Sequence, residues 1–232
     1  GSFASASPVT DGERVYVSFG SQGLYAFDLA GKLAWSFDPK VKLAMRNGFG
    51  EGLAPVLAGE VLVQVCDQEH DSFAFALDKK TGKELWRVKR DEPSSWATPL
   101  VTEFGGVQQV VTAGTKLVRS YAPKTGELLW ERAGLGLNAI PAVVRAGDLV
   151  LCMTGYRDPR ILALKLGGKG ALPDETVAWS STQGCAYTAS PVLHDGLYYT
   201  VSDRGLLSCF DALTGEVNYL EERLPRGSAL KS

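Results

Sequence analysis

The sequence predicts an all-β fold, a β-propeller of four-stranded antiparallel blades with five repeat units in view. Three observations carry this. Proline followed by an apolar residue opens each unit: "SPV" at Pro8, "APV" at Pro55, "TPL" at Pro99, "IPA" at Pro141 and "SPV" at Pro191, spaced 47, 44, 42 and 50 residues apart. A late aromatic closes each unit: Trp35, Trp86, Trp130, Trp179 and Tyr219. A glycine turn precedes most of these aromatics, as in "KKTGKELW", "PKTGELLW" and "ALTGEVNY". Runs of Val, Tyr, Phe and Leu broken by Gly, Asp and Asn read as short strands and turns. No window holds helical periodicity over three turns.

The elements follow in order within one domain spanning 1–232. The first blade, 3–40, runs "ASPVT", turns at "DGE", continues "RVYVSF", turns at "GSQG", and ends "LYAFDL", "AGK", "LAWSF". The second, 52–90, carries "CDQEHDS" and then "FAFALDKKTGKELW"; the third, 95–133, carries "AGTK" and "VRSYAPKTGELLW". The fourth, 138–181, shows the strand "ILALKL" but replaces the short turn by the longer "LGGKGALPDETVAW". The fifth, 187–225, ends in "LSCFDALTGEVNY". Each tryptophan at its fixed point is expected to plug the gap to the neighbouring blade. Trp96 alone falls outside this register.

Composition narrows the function classes. The chain has 232 residues, 45% hydrophobic and 22% charged, enough to bury a core. A formal net charge of −2 without a basic run gives no footprint for nucleic acid or an anionic membrane. No apolar run approaches the roughly 20 residues of a transmembrane helix. Cys66, Cys152, Cys185 and Cys209 are far apart with no CxxC spacing, as expected of buried structural thiols. A chain with only His70 and His194 cannot build a site of several histidines for zinc.

Topology sorts the loops. In an antiparallel meander the turns between second and third strands share one face with the crossings between blades. That face receives the long, varied loops, "DPKVKLAMRNGFGEG", "KRDEPSSW", "RAGLGLNA" and "SSTQGCAYT" among the crossings and "CDQEHDS" and "TGYRDPR" within blades. Binding residues concentrate on loops held by a rigid scaffold. The ligand-binding candidates are therefore Arg46, Asn47, Glu51, His70, Arg90, Asp91, Glu92, Trp96, Asn138, Tyr156 and Arg157. The arginines could grip a carboxylate or sulfate bidentately. Trp96 could serve as a stacking platform.

Chemistry is weighed on that face. "NGFGEG" lacks the strand before and helix after that a dinucleotide loop needs, and the Lys-Ser/Thr of a phosphate loop. Its glycines are expected to ease a tight crossing. Asp67, Glu69 and Asp71 alternate, so an extended backbone would turn three carboxylates to one side, a set that suits Ca²⁺. A solvated acidic loop is the plainer reading of the same residues. A reactive Cys185 would need a lowered thiol pKa.

"GLYAFDLAGKLAW", "FAFALDKKTGKELW", "VRSYAPKTGELLW" and "LSCFDALTGEVNY" resemble the repeats of the pyrroloquinoline-quinone-type, or quinoprotein-like, propeller family. "RNGFGEG", "RDEPSSWATP" and "LLSCFDALTGE" resemble a secreted bacterial branch of it, related to the propeller lipoprotein of the outer-membrane barrel-assembly machinery. The resemblance implies a seven- or eight-bladed ring of which these five units are part, and a periplasmic or extracellular location. It also implies, in the dehydrogenase branch, a quinone stacked between a tryptophan and a disulfide of adjacent cysteines, with calcium and a catalytic Asp. No adjacent cysteines exist here, so neither the quinone nor another cofactor is expected, with Ca²⁺ the one open alternative. The leading function is non-catalytic binding or scaffolding of a protein, peptide or glycan at one loop face. The second reading is an enzyme at the same mouth, either a quinone-dependent dehydrogenase or a polysaccharide-acting hydrolase or lyase.

Overall fold

The computed structural model describes residues 6–223, so 3–5 of the first expected blade and 224–225 of the last lie outside the described residues. Five antiparallel sheets follow in chain order. Blade 1 holds β1 (Val9–Thr10), β2 (Arg14–Ser18), β3 (Leu24–Asp28) and β4 (Leu33–Phe37). Blade 2 holds β5 (Val56–Ala58), β6 (Val61–Cys66), β7 (Phe73–Asp78) and β8 (Glu84–Lys89). Blade 3 holds β9 (Leu100–Phe104), β10 (Val107–Ala113), β11 (Leu117–Tyr121) and β12 (Leu128–Ala133). Blade 4 holds β13 (Val144–Ala146), β14 (Leu149–Thr154), β15 (Arg160–Lys165) and β17 (Val177–Ser181). The short strand β16 (Gly170–Ala171), from the long turn before β17, crosses to blade 3 and pairs in parallel with β12. Blade 5 holds β18 (Val192–His194), β19 (Leu197–Val201), β20 (Leu206–Asp211) and β21 (Val217–Arg223).

The core is four interfaces rather than one centre. Alternate residues of a strand point to opposite faces, so an inner blade buries both. Leu151 and Met153 of β14 pack toward blade 5, and Val150 and Cys152 toward blade 3. This is why β6 and β14 are wholly buried and apolar but for Gln64 and Thr154.

The tryptophan and glycine of the repeat turn out to be one device. Trp35 of blade 1 donates its indole N–H to the Lys79 carbonyl of blade 2 at 2.9 Å. Trp86 reaches Pro123 O of blade 3 at 2.7 Å, and Trp179 reaches Ala212 O of blade 5 at 3.1 Å. Above each ring lies the turn glycine of the next blade: a Cβ on Gly82, Gly126 or Gly215 would stand 2.6–2.7 Å from the indole. These glycines also have φ of 72–75°, which side chains rarely adopt. Turn conformation and ring packing thus both require glycine. Trp130 of blade 3 departs from this and bonds Gln109 of its own blade at 2.9 Å.

Candidate functional site

The crossings between blades are laced together around the propeller axis. Trp96, on the second crossing, donates its indole N–H to Gly50 O of the first at 2.8 Å and its backbone N–H to Ala139 O of the third at 2.7 Å. Ala142 N, on the third, donates to Ser190 Oγ of the fourth at 3.1 Å. These ties surround a cavity of about 580 Å³, within the size range of ligand pockets. All four crossings line it, chiefly through Phe49, Trp96, Ile140 and Tyr187. Phe49 is 52% exposed, with its ring 6.3 Å from that of Trp96. Tyr187 stacks on Tyr156 at 5.2 Å, and the Arg157 guanidinium lies 5.6 Å over the Tyr156 ring. Large apolar rings left facing solvent together are the usual mark of a binding surface.

The sequence candidates divide. Trp96 lines the cavity, and Tyr156 and Arg157 stand beside it through Tyr187. Asn138 is buried with φ 58°, and its Nδ2 reaches the Tyr187 hydroxyl at 3.3 Å. Its place is to shape the crossing and steady Tyr187. Asn47 is exposed with φ 52°, a left-handed turn that Asn tolerates.

Arg90 and Glu92 need correction as ligand contacts. Both are buried and fully engaged. Arg90 forms a bidentate pair with Asp67, 2.7 and 3.0 Å, with both side chains at 0% exposure. Its remaining nitrogen donates to Thr112 Oγ1 and Tyr121 Oη of blade 3. Burial works against the guanidinium charge, and the Asp67 carboxylate overrides it. Glu92 accepts the backbone N–H groups of Lys116 and Leu117 and pairs with Arg119 at 2.5 Å. Asp91 is exposed and pairs with Lys116 at 2.7 Å. Glu51 accepts from Ser21 Oγ at 2.8 Å and from the Ser21 backbone N–H, closing the "GSQG" loop.

The expected carboxylate row is corrected too. Asp67 turns inward to Arg90, Glu69 turns to Arg46 and Ser94, and Asp71 is exposed beside Lys89 at 3.9 Å. The loop is not extended there: the Ser72 hydroxyl accepts from the Gln68 backbone N–H and donates to the Gln68 carbonyl, closing it into a turn. Burial opposes ionisation of Glu69, but bonds from Ser94 and Arg46 hold it below the usual carboxylate range. Arg46 is thereby tied to Glu69 at 3.2 Å, and His70 is left exposed without a role the geometry defines. No group of three His, Cys, Asp or Glu is arranged to hold a metal among the described residues. The four cysteines are free and apart, so the described residues do not fit a quinone held by adjacent cysteines. Burial pushes the Cys185 thiol up to about 12, which makes it a poor nucleophile.

Phe49, Ile140 and Tyr187 are the mouth residues that sequence reasoning passed over. Phe49 sits inside "NGFGEG", among glycines whose pattern resembles a phosphate loop. A lone aromatic flanked by glycines on a crossing was the available signal.

Residues 2–219 match the family model described as outer membrane protein assembly factor BamB. The serine/threonine-protein kinase AfsK of Streptomyces griseus is 30% identical over 209 residues, covering 90% of this chain and 23% of the kinase. BamB of Moraxella catarrhalis superposes with a TM-score of 0.69 at 15% identity, covering 94% of this chain and 64% of that one. A europium-containing methanol dehydrogenase superposes at 0.64 with 18% identity, covering 90% and 49%. The chain thus spans about a quarter of its curated relative and just under two thirds of the BamB structure. Likeness at these identities to the solved structures shows the fold alone. The family match over nearly the whole chain, with five four-stranded blades and their tryptophan–glycine docking, makes this chain a member of the quinoprotein-like propeller family described as outer membrane protein assembly factor BamB.

Proposed function

We propose that this propeller is a non-catalytic binding module that seats an apolar segment of a partner protein in the aromatic cavity of its loop face. The observation that carries this is the composition of the mouth. Phe49, Trp96, Ile140 and Tyr187 converge there, while Arg90 and Glu92 on the same loops are spent on blade contacts. Buried aromatic anchors dominate protein interfaces. The cavity's polar lining is limited to groups such as Ser7, Thr98 and Ser190, which suits a peptide better than a glycan with its many hydroxyls. The family description as an assembly factor supports a protein partner. The kinase relative supports such a propeller acting as one module of a larger protein. The resemblance to secreted propellers supports a periplasmic or extracellular setting; no helix among the described residues is long and apolar enough to cross a membrane.

Calorimetry with a capped peptide of alternating phenylalanine and threonine tests the reading. Replacing Phe49 and Trp96 together by alanine should weaken binding about 30-fold or more, the effect of losing anchor side chains worth about 2 kcal/mol. Unchanged affinity in a folded double variant would remove the mouth as the site.

A further inference from the structure

The third interface breaks the repeat, and a second cavity lies at the break. In three interfaces the indole N–H meets a backbone carbonyl of the next blade, under a turn glycine. Blade 4 lacks that short turn. Its longer segment instead sends β16 across to pair with β12, and Leu166 and Leu172 join the cluster around Trp130. The Trp130 indole then bonds Gln109 Oε1. Between the inserted segment and blade 3 remains a cavity of about 590 Å³, on the blade edges and distinct in its lining from the loop-face mouth.

Gln109 gives this cavity a defined polar point. It is 3% exposed, and Oε1 accepts from both Trp130 Nε1 at 2.9 Å and Ser120 Oγ at 2.7 Å. Two donors on one oxygen fix which end of the amide is which. Nε2 is therefore the end left over. It donates to no group among the described residues and is not one of their buried unpaired atoms, so it opens to solvent in the cavity that Gln109 lines. A donor that opens onto the cavity can exchange solvent for a ligand acceptor and so orient a bound molecule. The surrounding walls are apolar: Phe104, Val107, Leu128, Leu129 and Trp130. The lip holds Glu127 and Lys169, exposed and opposite in sign, so it selects for neither charge.

We infer that this cleft is a second binding site, for a neutral small molecule with an apolar ring and one carbonyl-type acceptor directed at Gln109 Nε2. The volume falls in the range of small-molecule pockets, which combine apolar walls with a few placed polar groups.

Acetophenone and its near-isostere isopropylbenzene, which lacks the acceptor, separate the hydrogen bond from apolar filling. Titrated into the full chain, acetophenone should saturably shift the Gln109 side-chain amide and Trp130 indole N–H signals in ¹H–¹⁵N spectra. It should bind about fivefold tighter than isopropylbenzene, the effect of one hydrogen bond. Gln109→Glu keeps an oxygen for Trp130 and Ser120 but removes the donor, and should abolish the preference. Leu128→Trp, at a half-exposed position, should fill the cleft and abolish binding of both. Equal affinity of the two probes for the native chain, shifts confined to other residues, or acetophenone binding retained in Leu128→Trp would each overturn the assignment. The last of these stands even if the Gln109 variant fails to fold.

Discussion

Arg90 and Trp96 lie six residues apart on the same crossing, and the structure puts them to opposite uses. Arg90 is enclosed between blades 2 and 3 with every guanidinium nitrogen bonded to Asp67, Thr112 or Tyr121. Trp96 lies at the mouth, its N–H groups anchored to neighbouring crossings and its ring lining the cavity. The charged root and the aromatic tip of one loop therefore divide stability and recognition. A crossing must satisfy its own backbone and that of the loop it meets, and charged groups do this well. Glu92 takes two backbone N–H groups of the "AGTK" loop in just this way. The Trp96 side chain meets the same demand only through its indole N–H on the Gly50 carbonyl, which leaves its ring to line the cavity.

Breaking the root gives the largest expected effect. Asp67→Ala leaves Arg90 charged, buried and short of two bonds, and should cost about 3–5 kcal/mol in urea unfolding. Replacing both partners, Asp67→Leu with Arg90→Met, should recover part of that loss, because the uncompensated charge is gone. A single variant of near-native stability would mean that the pair is not the joint between blades 2 and 3.

The tryptophan–glycine docking tests the same division one step out. Gly126→Ala sets a methyl into the Trp86 ring at a φ of 75°, and should cost about 2–4 kcal/mol by overpacking and backbone strain together. Gly12→Ala, at φ 88° with open space around it, carries only the strain, about 1–2 kcal/mol. Equal losses in the two variants would show that the ring contact adds nothing. Trp96→Ala should be milder than the loss of a buried blade tryptophan, about 3–5 kcal/mol, because Trp96 is only partly buried; its effect belongs in binding.

How far the sequence can be read follows the same line. Blade number, strand order and the docking aromatics are local and periodic: proline starts, alternating strands and "TG" turns recur whatever lies beside them. The site was only half legible. Trp96 stands outside the repeat, which sets it apart in the sequence, and its ring lines the mouth. Arg90 and Glu92 read as available in the sequence because they are charged and lie on a loop. Their partners Asp67 and Arg119 lie 23 and 27 residues away, and no local pattern announces such pairing. Tyr187, in "TQGCAYT", stands beside Cys185, a residue type with more obvious chemistry whose partial burial only the packed structure reveals.

Acid gives the smallest effect and the cleanest separation of the two regions. Asp11, in the turn before β2, accepts the backbone N–H groups of Glu13 and Arg14 and the Tyr16 hydroxyl, and it pairs with Lys79 of blade 2 at 3.2 Å. Burial opposes its charge, but these bonds together hold its carboxyl well below the usual carboxylate range. A depressed folded pKa stabilises the fold above the unfolded value of about 3.9. That contribution is lost as pH falls from about 4 through the folded value. The urea midpoint of the native chain should therefore drop across this window, and Asp11→Asn should flatten the drop while starting lower at pH 6. The described residues lining the mouth include no carboxylate, histidine, lysine or arginine. Affinity for the phenylalanine–threonine peptide should hold constant from pH 8 to 5, where the fold is still intact. An affinity that changed in that range would return charge to the mouth and undo the division between root and tip.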